Sequence, residues 1–80
     1  MILKFSNEAL KTMDKLDTKT SGRVMKAIFG LPNKGDIVPL EGQYKGFFRM
    51  RVGDWRIIYG IVDSVIMIDK ILPRGDAYKH

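Results

Sequence analysis

Cysteine is absent from this 80-residue chain, and its single histidine, His80, is the last residue. Structural disulfides, thiolate zinc sites and multi-histidine metal centres are thereby excluded. Long apolar runs are missing too. None approaches the ~20 residues that span a bilayer, and the opening MILKFSNEAL lacks the longer apolar stretch of a signal peptide. The expectation is a cytoplasmic protein with no membrane attachment, no metal and no small-molecule cofactor. Ser6, Ser21 and Ser64 have no histidine at a spacing that would make a nucleophilic triad. Gly22, Gly30, Gly35 and Gly42 are too scattered for a phosphate-binding loop, and Asp63 and Asp69 read as turn and sheet residues rather than ligands.

What is present describes one small domain, residues 1–80, with 45% hydrophobic and 29% charged residues, a globular balance rather than a disordered one. The formal net charge of +5 favours an anionic partner. Its distribution says more than its sum. Residues 1–44 carry seven basic residues, six of them lysine, whereas residues 45–80 carry four of the five arginines: Arg49, Arg51, Arg56 and Arg74. Arginine grips phosphate through a planar fork, while lysine is a hydrated point charge that often only solubilises.

Ile2, Leu3 and Phe5 predict a first strand at 2–5. Ser6 is a helix N-cap, and Ala9, Leu10, Met13 and Leu16 recur at helical spacing over 7–16. Asp17 or Thr18 caps a second helix at 18–30, whose apolar stripe is Val24, Ala27, Ile28 and Leu31 and which Gly30 and Pro32 end. Residues 32–45, with two prolines and two glycines, read as one long loop. Three strand-like runs follow, FFRMRV, WRIIYGIV and VIMIDKIL, divided by Gly53-Asp54 and Asp63-Ser64. The expected fold is α+β, in the order β-α-α-β-β-β, with a helical hairpin packed on one face of an antiparallel sheet. Met13, Met25, Met50 and Met67 read as core filler.

A two-residue turn at Gly53-Asp54, of type II′, pairs Val52 with Trp55, Arg51 with Arg56, Met50 with Ile57, Arg49 with Ile58 and Phe48 with Tyr59. Alternation then sends Phe48, Met50, Val52, Trp55, Ile57 and Tyr59 to the core face and Arg49, Arg51 and Arg56 to the other. Phe47 shares the arginine face, either to stack on a base or to lie under the preceding loop. Like charges directly opposite on a sheet cost a few tenths to about 1 kcal/mol. Either the guanidinium groups splay into water, or Asp54, Asp69 or Asp76 neutralises them, or the face binds a polyanion. Arg74 stands at the end of the last strand, with Tyr78 four residues on in a tail that holds Lys79 and His80. Tyr78 suits stacking on a base, or packing on the sheet. Simple alternation turns Lys70 toward the core, so it snorkels at an edge or a bulge shifts the register.

The stretch LEGQYKGFFRMRVGDWRIIYGIVDSVIMIDKILPRGDAY resembles the RelE/ParE superfamily of toxin-antitoxin toxins, closest to the RelE branch. It carries a leucine-x-glycine, then an arginine-x-arginine-x-glycine-aspartate-aromatic-arginine-x-x-tyrosine hairpin, then a closing strand, an arginine and a tyrosine. KFSNEALKTMDKLD is similar to the family's opening strand and first helix.

The resemblance implies a toxin neutralised by a cognate antitoxin protein, with the ribosome and messenger RNA as its targets. It implies an mRNA interferase: a metal-independent endoribonuclease that blocks translation by cutting message in the ribosomal A site, through attack of a 2′-hydroxyl on the adjacent phosphate. Carried over, Arg51, Arg56, Arg74 and Tyr78 take the catalytic positions, and Lys45, Phe47, Arg49 and Lys79 bind RNA. Phe47 stands where some members carry a basic residue, and the glutamate and histidine that another RelE branch uses as acid and base have no counterpart. Clustered guanidinium groups suit a pentavalent phosphorane, and proton transfer falls to Tyr78, a strand arginine or the ribosome. The alternatives are a ParE-like inhibitor of DNA gyrase without nuclease activity and a non-catalytic member that binds RNA or only its antitoxin.

Overall fold

The computed structural model describes residues 1–75. Strand β1 (Ile2–Phe5) leads into helices α1 (Asn7–Lys15) and α2 (Thr18–Phe29), and then come β2 (Asp36–Pro39), a 3₁₀ turn at Gly42–Tyr44, β3 (Phe47–Val52), β4 (Trp55–Val62) and β5 (Val65–Pro73). The strands make one sheet in the order β1-β5-β4-β3-β2.

Both helix starts are set by the residues expected to cap them. The Ser6 hydroxyl accepts from the Ala9 N–H at 3.0 Å and also donates to the Asp69 carbonyl of β5 at 2.6 Å, so one side chain caps the helix and pins it to the sheet. The Asp17 carboxylate accepts from the Thr20 N–H at 2.7 Å. That bond to the backbone holds the carboxyl below its ordinary pKa. The helical hairpin carries the chain from β1 at one edge of the sheet to β2 at the other.

Between helices and sheet lies the main core. Ala9, Val24, Ile28 and Leu31 from the helices and their C-terminal turn meet Met50, Ile57, Tyr59, Ile66, Ile68 and Ile71 from the sheet. Phe48 and Tyr59, cross-strand partners, stack with ring centroids 5.4 Å apart. Burial lifts the Tyr59 hydroxyl above its ordinary pKa.

Three features depart from the sequence reading. First, the expected 32–45 loop contains a further strand, β2, paired antiparallel with β3, and the 3₁₀ turn. Two prolines and a short four-residue run hid it, but Pro39 ends the strand on an edge, where a missing N–H is tolerated. Second, the sheet is mixed. The meander β2 to β5 is antiparallel as its short connections demand, whereas β1 pairs parallel with β5, Ile2 against Val65 through Phe5 against Ile68. Third, Leu10, placed in the α1 stripe, is exposed, and Met67, taken for core filler, projects from the other face of the sheet and is 37% exposed.

Both tight turns use positive φ. Gly53 has φ 57° with an ordinary Asp54, as a type II′ turn requires, while Asp63 and Ser64 are both left-handed, at 49° and 67°. The β3–β4 register is the one expected, from Val52 opposite Trp55 to Phe48 opposite Tyr59. A bulge resolves Lys70. Ile58 pairs with Lys70 but Tyr59 pairs with Ile68, leaving Asp69 as the extra residue. Lys70 thereby falls on the face away from the helices.

Candidate nucleic-acid interface

Pairing across the sheet sorts the helix-free face into rows. One row runs Asp36, Arg51, Arg56, Leu72. The next runs Val38, Arg49, Ile58, Lys70, and the third contains Phe47, Gly60 and Met67. Successive rows are two residues, about 7 Å, apart. The face is polarised: guanidinium groups gather at the Gly53-Asp54 end and apolar groups at the opposite end.

At the arginine end, each side chain has a distinct environment. Arg56 Nη1 donates to the Gly53 carbonyl and to the Trp55 carbonyl, both at 3.0 Å, so the guanidinium folds back over the hairpin turn. Among the described residues it meets carbonyls and no carboxylate. Arg51 projects into solvent, with Nη1 4.0 Å from an oxygen of Asp36, its neighbour on β2. Both side chains are more than half exposed, so the pair contributes under about 1 kcal/mol and leaves Arg51 available. Among the described residues the acid beside Arg51 is therefore Asp36 of β2 and neither Asp54 nor Asp69, while Asp76 lies outside them. Arg74 is brought to the same turn by the main chain, its N–H donating to the Asp54 carbonyl at 2.7 Å, and it is exposed.

The backbone positions of Arg51, Arg56 and Arg74 thus fall at one end of the sheet. Arg49 lies one row away and is partly buried. Phe47 is four residues, about 14 Å, along β3 from Arg51, and Lys45 lies beyond it. These two are not brought to the arginines. The Phe47 ring lies across Gly60, 3.5 Å from where a Cβ would stand, an ordinary van der Waals contact. Ile58 and Leu40 are buried outside the main core, and the Leu40 N–H bonds to the Phe47 carbonyl at 2.9 Å. The segment after β2 accordingly covers the apolar end of this face. Tyr78 and Lys79 lie outside the described residues.

Two basic groups outside the expected site set are placed by tertiary contacts. Lys70, put on this face by the bulge, donates to both oxygens of Glu8 at 3.0 and 3.2 Å, and that hydrogen bond holds its pKa above the ordinary lysine value. Arg23 of α2 reaches the same hairpin turn from the helix side. Its Nη2 lies 3.1 Å from the position a Cβ on Gly53 would take. The sequence signal for Arg23 was weak, since a lone arginine on a helix's polar face gives no hint of which loop it meets.

A helical hairpin on one face of a mixed sheet, with arginines at one end of the other face, defines a small α+β domain, and among the described residues no helix is long and apolar enough to cross a membrane. Comparison with known proteins then places it. The family model for the ParE toxin of type II toxin-antitoxin systems, parDE, matches residues 3–78, and the chain belongs to this family, within the RelE/ParE superfamily. The chain is similar to one in the archaeal RelE-RelB complex from Pyrococcus horikoshii, with 30% identity, coverage of 95% of this chain and 97% of that one, and a TM-score of 0.76. A chain of the RelBE2 toxin-antitoxin complex from Mycobacterium tuberculosis is 24% identical, with 91% and 96% covered and a TM-score of 0.76. The YoeB/ParE toxin from Agrobacterium tumefaciens shares the fold at a TM-score of 0.81 and 16% identity, with 92% and 99% covered. No curated protein matches the chain.

Proposed function

We propose that this toxin is a cytoplasmic, ribosome-dependent mRNA endoribonuclease of the RelE kind, held inactive by its cognate antitoxin. The observation that supports the reading is the placement of Arg51, Arg56 and Arg74 at the Gly53-Asp54 end of the sheet, where among the described residues the carboxylate paired with an arginine is the exposed Asp36 beside Arg51. A protein-binding poison has no need of opposed arginines on adjacent strands, which destabilise the sheet. A phosphate-binding site does, because the ligand's oxygens supply the missing acceptors.

In the proposed reaction the 2′-oxygen of a message nucleotide attacks the adjacent phosphorus and the bond from phosphorus to the 5′-oxygen breaks. The products are a 2′,3′-cyclic phosphate and a 5′-hydroxyl. The proton leaves the 2′-hydroxyl and another arrives at the 5′-oxygen. Arg51, Arg56 and Arg74 neutralise the charge that builds on the phosphorane oxygens. Arginine is a poor acid or base near neutrality, so proton transfer belongs to Tyr78, a strand arginine or ribosomal groups. Arg49 and Lys45 bind flanking backbone, Phe47 stacks on a base, and Lys79 joins Tyr78 in the tail. The spread of Phe47 and Lys45 toward the far end of β3 fits a single strand lying along the sheet rather than a compact ligand.

The family model bears the ParE name, which favours a second reading, inhibition of DNA gyrase. Primer extension on a translated message after induction separates them. Discrete cuts within codons support cleavage; DNA damage with intact message supports the gyrase reading and removes the catalytic roles from the arginines.

A further inference from the structure

Arg23 is an arginine of α2, on the opposite side of the sheet from Arg51, yet its guanidinium reaches the tip of the β3–β4 hairpin. Its Nη2 lies 3.1 Å, and its Cζ and Nη1 3.7 Å, from the Cβ position of Gly53. The end of the Arg23 side chain therefore lies close to the glycine, where an added Cβ would make it shift by a few tenths of an ångström. From the other side Arg56 binds the carbonyl of that same glycine at 3.0 Å. Among the described residues Arg23 makes no hydrogen bond or ion pair, and it is exposed. Its fork of donors lies at the tip of the β3–β4 hairpin and faces water.

We infer that Arg23 is a further phosphate-binding residue, which extends the basic site around the hairpin tip from the open face to the helix side. The inference rests on the proposed RNA-cutting function and deepens it. A single strand whose scissile phosphate lies among Arg51, Arg56 and Arg74 continues over Gly53, and Arg23 grips a phosphate of the flanking nucleotide. Gly53 then has two jobs. Its φ of 57° makes the turn, and its lack of a side chain seats the guanidinium. Arg23 is a positioning residue, remote from the reacting atoms.

The test uses the full chain with a fluorescent single-stranded RNA and with programmed ribosomes. Binding is measured across salt for wild type, Arg23→Ala and Arg23→Lys. For single strands each phosphate contact adds about 0.7 to the slope of log affinity against log salt. Arg23→Ala should lose one such increment, so its affinity deficit relative to wild type shrinks about 2.5-fold between roughly 50 and 200 mM salt. Arg23→Lys should keep the slope while losing part of the affinity, because the charge remains and the fork is gone. On ribosomes the loss in Arg23→Ala should fall on KM rather than kcat, with an unchanged melting temperature. If wild type binds and cuts RNA but Arg23→Ala has its slope and KM, this inference fails and the proposed function stands. If wild type neither binds nor cuts, both fall.

Discussion

Removing Arg56 tests the proposed chemistry against the plainest structural account of the same residue. Its guanidinium donates to the Gly53 and Trp55 carbonyls, so Arg56→Ala removes two hydrogen bonds at a partly exposed turn. Such bonds sum to about 1 kcal/mol, which lowers the melting temperature of a domain this size by about 4–8 °C. With a starting stability of about 5 kcal/mol, the unfolded fraction at 25 °C stays near 10⁻³, so unfolding removes under about 1% of activity. Loss of a donor aimed at the transition state is a different scale, about 10²–10³ in rate. Ribosome-programmed cleavage measured beside thermal melting separates the two. The expected result is a modest drop in melting temperature with at least a hundredfold fall in kcat, and partial rescue by Arg56→Lys. A variant that melts a few degrees lower and cleaves at the wild-type rate would refute the reasoning and leave Arg56 as a clamp on its own turn.

Three further outcomes follow from named contacts. Asp36→Asn removes the carboxylate 4.0 Å from Arg51, so RNA affinity should rise, most at low salt, while stability changes by under about 1 kcal/mol; unaltered RNA affinity at low salt would mean Asp36 does not compete with phosphate. Gly35 has φ 131°, and a Cβ there would stand 2.9 Å from Met50 Sδ, so Gly35→Ala should lower urea stability by about 1–3 kcal/mol, with an unchanged midpoint counting against it. The Asp17 cap lowers its carboxyl pKa in the folded state, so its stabilisation is present above the ordinary carboxylate range and is lost as pH falls through the folded-state value. The stability gap between wild type and Asp17→Ala should therefore close in acid, and a gap independent of pH would show that the cap does not act through its charge.

The similar chain from Pyrococcus horikoshii is solved in a complex with RelB, which agrees with an antitoxin partner for this toxin. If the proposed function holds, an acidic antitoxin segment laid over the arginines would compete with the message by charge complementarity.

The helices, the β3–β4 register and the shared face of Arg49, Arg51 and Arg56 were legible from residues 1–80 alone. Each depends on short-range rules: caps at Ser6 and Asp17, a glycine turn at Gly53, and an apolar alternation that a one-residue slip would invert. Tertiary structure decided what those rules do not reach. Strand β2 exists because β3 offers an edge to Asp36–Pro39, whose own pattern is too short and too rich in proline to announce a strand. The parallel pairing of β1 with β5 joins segments more than sixty residues apart, and the bulge at Asp69 is where that edge strand ends and the Ser6 hydroxyl binds the Asp69 carbonyl. Asp36 beside Arg51, Glu8 on Lys70 and Arg23 on Gly53 are likewise meetings between distant segments. Local spacing determines which way a side chain points; only the packed chain determines what it points at, because that partner is set by burial summed over the whole domain.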